Sequence, residues 1–240
     1  MEMSDLRILG IDTSGKVASV AVMEDSRLLW EKSVYTTLTH SQVILPMVEQ
    51  ALSESGSELC SIDCVAVANG PGSYTGLRIG IGAVKGMCMG CEMLKCAGVS
   101  TLLALAYNCA AFKGIIIPVM RARPGISYVG VFESDGRRVT RKIRDKVTKD
   151  SDIFENLDTT VPVMLTGDNA RAVKEQFFKD NDNVLTANAA CELQRAGSLC
   201  LAVNDNKDLI TQADKLEVAY LQATKAEKDK AHSDKQEEEK

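Results

Sequence analysis

The residues best suited to chemistry in this chain lie in two short stretches near its start. Asn69-Gly70-Pro71-Gly72-Ser73-Tyr74-Thr75-Gly76 leaves an apolar run and enters a helical pattern, a setting in which backbone N–H groups and the helix dipole can hold a phosphate. Gly72 and Ser73 are therefore weak candidates for contacting a nucleotide. The glycines at 70, 72 and 76 miss the G-x-G-x-x-G spacing by one position, and no Gly-Lys-Ser/Thr closes the loop as a Walker motif would. A tight strand-to-helix connection is the simpler reading. Asp12, followed by Thr13-Ser14-Gly15, ends the first apolar run, where a duplicated nucleotide-binding fold would hold a metal-phosphate. The corresponding turn of the second half, Arg121-Ala122-Arg123-Pro124-Gly125, offers no carboxylate, so one side of a phosphate clamp is missing. Asp12 and Ser14 read more simply as shapers of a hairpin turn.

Other reactive groups are sparse. The two histidines are His40 and His232, so a metal site or a Ser-His-Asp triad would rest on His40 alone; it reads instead as a helix-start residue that hydrogen-bonds locally or meets a partner. Cys88 and Cys91 have C-x-x-C spacing without a second pair to complete four ligands. All eight cysteines (60, 64, 88, 91, 96, 109, 191 and 200) are expected to be reduced thiols, mostly buried. From Arg137 to Lys149, seven Lys and Arg stand against the single Asp145, a net charge of +6. This is the one window where RNA phosphate could land, although the absence of interleaved aromatics favours a charged sheet edge that resists pairing.

The elements that must position these residues follow from patterning. Residues 6–12, 16–23 and 27–35 are apolar or β-branched runs separated by turn residues, a three-strand meander. A helix is expected near 40–54, with Pro46 kinking its early turns, then a buried strand at 63–69 and helices at 75–90 and 101–112. Gly82, Gly86 and Gly90, four apart in the second helix, form a smooth stripe open to close approach by another backbone, either this chain's own or a partner's. The order then repeats: strands at 114–120, 126–133 and 137–143, a helix near 151–157, a strand at 161–166 and a helix at 169–179. The expected organisation is a duplicated βββαβα domain with a cleft between its halves: an N-terminal lobe, 1–112, a C-terminal lobe, 113–224, and a charged, disordered tail, 225–240.

Composition limits the possible classes. A chain of 240 residues, 45% hydrophobic with a net charge of −5, is large enough for a real core and weakly opposes a free-standing nucleic-acid binder. An acidic start and the lack of a long apolar stretch point to a cytoplasmic protein with no membrane segment.

Three stretches together carry a resemblance: Ile8-Leu9-Gly10-Ile11-Asp12-Thr13-Ser14, Thr39-His40-Ser41-Gln42 with Leu45-Pro46, and Asn69-Gly70-Pro71-Gly72-Ser73-Tyr74-Thr75-Gly76-Leu77-Arg78-Ile79-Gly80. The chain resembles the bacterial TsaB family, densely over 6–110 and thinly beyond. The resemblance implies a two-lobed α/β fold of the actin, sugar-kinase and Hsp70 class (ribonuclease H-like). It implies a non-catalytic subunit supporting N6-threonylcarbamoyladenosine formation at position 37 of tRNAs reading ANN codons, with the catalytic TsaD subunit and the TsaE ATPase as partners. For the isolated chain a homodimer and a monomer both stay open, and tRNA would be met indirectly, through the complex. No catalytic residue, metal or cofactor of its own is expected. The implied partner face lies on the first two helices: His40, Val43, Met47, Arg78, Gly82, Gly86 and Gly90. The second-lobe turn departs from the family's Asp-Ala-Arg-Arg pattern. The competing readings are an ATP-dependent kinase or ATPase of the same fold, which needs phosphate contacts from both lobes, and a glycoprotease-like metallopeptidase, which needs metal ligands or an activated nucleophile.

Overall fold

Alternation along one buried strand organises the first half of the molecule. In β1 (Arg7–Asp12), Leu9 and Ile11 face one side of a sheet and Ile8 the other, and each side carries its own apolar layer. The computed structural model describes residues 6–155 and 157–221, so the tail expected from 225 onward lies outside the described residues. β1 pairs antiparallel with β2 (Val17–Glu24), which pairs with β3 (Arg27–Tyr35), and on its other side runs parallel to β4 (Cys64–Gly70). β5 (Lys95–Ser100) follows parallel to β4. Helices α1 (His40–Glu54) and α2 (Tyr74–Gly90) cover one face through Ile44, Met47, Val48, Ala51, Ile81 and Val84. Thr39 and Gln42 form a capping box at the start of α1, and Ser73 caps α2 by accepting from the Gly76 N–H.

The second half repeats the topology. β6 (Gly114–Arg123), β7 (Ile126–Ser134) and β8 (Val139–Lys149) form a meander, and β9 (Val163–Thr166) and β10 (Val184–Thr186) add in parallel beside β6. The sheet order β10-β9-β6-β7-β8 mirrors β5-β4-β1-β2-β3 of the first sheet, strand for strand. Helix α4 (Ala170–Phe177) covers one face. Helices α3 (Thr101–Tyr107) and α5 (Ala196–Asp205) lie between the sheets, in a core that joins Ile8, Met23 and Val99 of the first sheet to Ile116, Met120 and Phe132 of the second.

Several expectations are corrected. β5, β10 and α5 have no counterpart in the patterning. The helix expected to reach residue 112 ends at Tyr107, and the one expected at 151–157 is a single 3-10 turn, Asp150–Asp152. β8 runs to Lys149 and not to residue 143. The boundary at 112/113 does not divide the layers, because α5 packs on β1 and β2, and the short β11 (Ile210–Thr211) pairs with β5 at the edge of the first sheet. Nor are all eight thiols free. Cys60, in the turn after α1, is bonded to Cys91 at the end of α2, which runs back beside that turn with the two Cα atoms 5.7 Å apart. Cysteine usage therefore no longer argues for a reducing compartment. Among the described residues no helix is long and apolar enough to cross a membrane.

Candidate functional site

The β1–β2 and β6–β7 hairpins meet α2 around a cavity of about 690 Å³. Its walls carry Ser14, Lys16, Gly72 and Ser73 from the first half and Arg121, Tyr128 and Asp168 from the second. The fold thus brings three of the four weak nucleotide candidates to one cleft. Asp12 stays behind them, fully buried: its Oδ1 accepts from the Ser14 N–H at 2.9 Å and the Ser14 hydroxyl at 2.6 Å. Its Oδ2 is buried without a hydrogen-bond partner among the described residues. Burial pushes the carboxyl up to about 6, against the Ser14 hydrogen bonds that pull it down.

The loop that could hold a phosphate is occupied by the chain itself. The Ser73 N–H donates to the Ser14 carbonyl at 2.7 Å, the Gly76 N–H donates to Ser73 Oγ at 3.2 Å, and Thr13 Oγ1 donates to the Gly76 carbonyl at 2.8 Å. A Cβ on Gly72 would lie 2.4 Å from the Ser14 carbonyl oxygen, and one on Gly76 2.0 Å from that of Thr13. These glycines let α2 settle directly on the β1–β2 turn.

On the opposite wall Pro124 and Gly125 close a two-residue turn, with Gly125 at φ 72°. The Arg121 guanidinium donates to Asn169 Oδ1, whose amide in turn donates to Ser127 Oγ at 2.9 Å and Asp150 Oδ2 at 3.1 Å. Asp168 accepts from the Arg121 N–H, and Glu192 pairs with Arg171. Both carboxylates of this wall are engaged within the second half. At the start of α2 the Ser73 and Gly76 amides are likewise bonded within the chain, to the Ser14 carbonyl and Ser73 Oγ. Among the described residues no three His, Cys, Asp or Glu side chains gather as metal ligands.

The predicted partner face divides. Gly82, Gly86 and Gly90 are exposed, and a Cβ on any of them would meet nothing within 4 Å, so the stripe does not pack against this chain. Met47, in contrast, is buried beneath α1 at 5% exposure and is corrected to a core residue, since it falls on the inward side of the helix. Val43 is half-buried against the same core. His40 opens α1 with its Nε2 buried and unpartnered among the described residues, and burial lowers its pKa. Arg78 is exposed, lies 4.0 Å over the Tyr74 ring and donates to the Tyr220 hydroxyl at 3.0 Å. Tyr220 stacks on Tyr74 with centroids 5.3 Å apart. Sequence reasoning missed this aromatic clasp, because 142 residues separate Arg78 from Tyr220.

Two sheets of one strand order, set about an interlobe cleft, define the actin and sugar-kinase class of fold. A crystal structure of a Pseudomonas aeruginosa protein described as similar to peptidase YEAZ superposes with a TM-score of 0.79, at 25% identity, covering 90% of this chain and all of that one. The family model for TsaD, tRNA N6-adenosine threonylcarbamoyltransferase, matches residues 35–229, and the chain belongs to this family as a TsaB-type member. The tRNA threonylcarbamoyladenosine biosynthesis protein TsaB of Escherichia coli K12 is 38% identical over 132 residues, 54% of this chain and 56% of the relative. TsaB of Bacillus subtilis 168 is 29% identical over 176 residues, 73% of this chain and 76% of the relative. The match thus spans little more than half of the Escherichia coli protein and about three quarters of the Bacillus subtilis one.

Proposed function

We propose that the chain is a non-catalytic scaffold subunit in the formation of N6-threonylcarbamoyladenosine at position 37 of tRNAs reading ANN codons, seating the catalytic TsaD subunit on α1 and α2, with the TsaE ATPase joining the assembly. The observation that carries this reading is the two-sidedness of α2. One glycine row, Gly72, Gly76 and Gly80, is fastened to the chain's own Thr13 and Ser14, and the other, Gly82, Gly86 and Gly90, is bare. A helix that forgoes about 1 kcal/mol at each interior glycine without filling the space gains it back only where another backbone comes close. The same face is open to a second copy of the chain when the partner is absent. The scaffold reading is supported over a kinase by the second wall of the cleft, where Asp168 and Glu192 are held by Arg121 and Arg171, and by the Ser73 and Gly76 amides, which bond within the chain.

The test is reconstitution. Threonylcarbamoyl transfer by the catalytic subunit, measured on unmodified tRNA, should depend on this chain, while the chain alone with Mg-ATP shows no turnover. ATP hydrolysis or transfer by the pure chain, lost on Asp12→Ala, would overturn the reading.

A further inference from the structure

We infer that β8, the outer strand of the second sheet, is a landing strip for RNA backbone phosphates; this deepens the scaffold reading and rests on it. Residues 137–149 carry +6 in a chain of net −5, which leaves −11 for the remainder. Patterning ended the strand at residue 143, but the fold carries it through Val139–Lys149, so Arg144, Lys146 and Lys149 extend along the edge strand the basic segment begun by Arg137, Arg138, Arg141 and Lys142. At about 3.3 Å per residue the strand runs about 35 Å along a free sheet edge.

The fold also adds a cation that spacing did not show. Lys113 lies over the Asp135–Gly136 turn, where a Cβ on Gly136 would come within 2.9 Å of its Cε. Part of the segment is internally engaged: Arg141 pairs with Asp145, Lys142 with Glu133, and Arg138 donates to the Asp205 carbonyl. Lys113, Arg137, Arg144, Lys146 and Lys149 form no ion pair among the described residues, and all five are exposed. Blunting an edge against β-pairing needs only a few such charges; basic side chains along the whole edge, divided between its two faces, match a phosphate chain that follows the edge. With no aromatic on the strand to stack bases, the contact is blind to sequence and positions the RNA. A membrane surface is disfavoured, because Ile143 is the strand's one exposed large apolar side chain.

The test uses the full chain, alone and with the catalytic subunit, and an unmodified transcript of a tRNA reading an ANN codon. The variant Arg144→Ala/Lys146→Ala/Lys149→Ala should bind the transcript about tenfold or more weakly at 150 mM salt. Its slope of log K against log salt should be shallower by about 3, near one unit per phosphate contact removed. Its melting temperature and its affinity for the catalytic subunit should match the parent. Unchanged transcript affinity and slope would overturn the inference, as would parent protein that binds phosphatidylserine vesicles and not tRNA. If the catalytic subunit fails to bind the parent chain at all, the scaffold reading falls, while the transcript titration of the chain alone still decides whether β8 holds RNA.

Discussion

Replacing Gly86 separates the stability of α2 from its use as a surface. No atom lies within 4 Å of the place a Cβ would occupy, and the residue is exposed in the interior of a 17-residue helix. Gly86→Ala should therefore stabilise the isolated chain by about 0.8–1 kcal/mol, through the lost backbone entropy of glycine. For a protein of this size that raises the melting temperature by about 2–4 °C. Gly86→Leu should fold equally well, since the larger side chain also projects into open space, but it would wedge apart a partner helix packed on the stripe. A loss of about 2 kcal/mol at a central contact corresponds to roughly a 30-fold weaker Kd. Gly76→Ala is the internal contrast: its Cβ would sit 2.0 Å from the Thr13 carbonyl oxygen, so the monomer itself should lose on the order of 1–3 kcal/mol. Thermal melts paired with isothermal titration against the catalytic subunit read both quantities. Full-strength binding by Gly86→Leu would refute the reasoning and leave the stripe facing solvent in the assembly.

The buried Asp12 should make the fold sensitive to pH. Its carboxyl is raised from 3.8 to about 6, so the stability present below pH 4 is lost as pH rises through 6, on the order of 3 kcal/mol, and Asp12→Asn should flatten denaturant midpoints across that window. Breaking Cys60–Cys91, by Cys60→Ser or by reductant, should cost about 3–4 kcal/mol for a separation of 31 residues, and a thiol titration of the denatured chain should rise from six to eight on reduction. Asn169→Ala would strand Ser127, Asp150 and Arg121 beside the cleft and should destabilise by about 2–3 kcal/mol, read from urea unfolding. An unchanged midpoint would mean that water replaces the amide.

The elements legible in the sequence were those with a local signature. The meander 7–35 showed in its β-branched runs and turn residues, and α1 in its helical spacing. α5 was illegible for the opposite reason: Ala196, Leu199, Cys200, Ala202 and Val203 are all buried, so no polar face sets a period, and Arg195 forms no capping bond. β5 holds small residues and Gly98, where a Cβ would lie 2.7 Å from the Asn69 side chain, and small residues give a weak strand signal. At the cleft, the turn residues could be placed by pattern, whereas their mutual hydrogen bonds, the inward position of Asp12 and the Tyr74–Arg78–Tyr220 clasp depend on contacts between distant segments.

The wedge of α3 and α5 bears on what the two halves can do mechanically. Lobes that close over a substrate do so at a few loop or element-terminal residues that act as a hinge, or by small sliding of packed helices. Here the seam between the halves is filled by Leu102, Leu105, Leu199 and Cys200, each at most 1% exposed and continuous with the apolar faces of both sheets. Rotating one half against the other would shear a close-packed interior, which resists graded deformation. The angle between the halves is thus set by the buried faces of α3 and α5, and changing it would break contacts on both sheets at once.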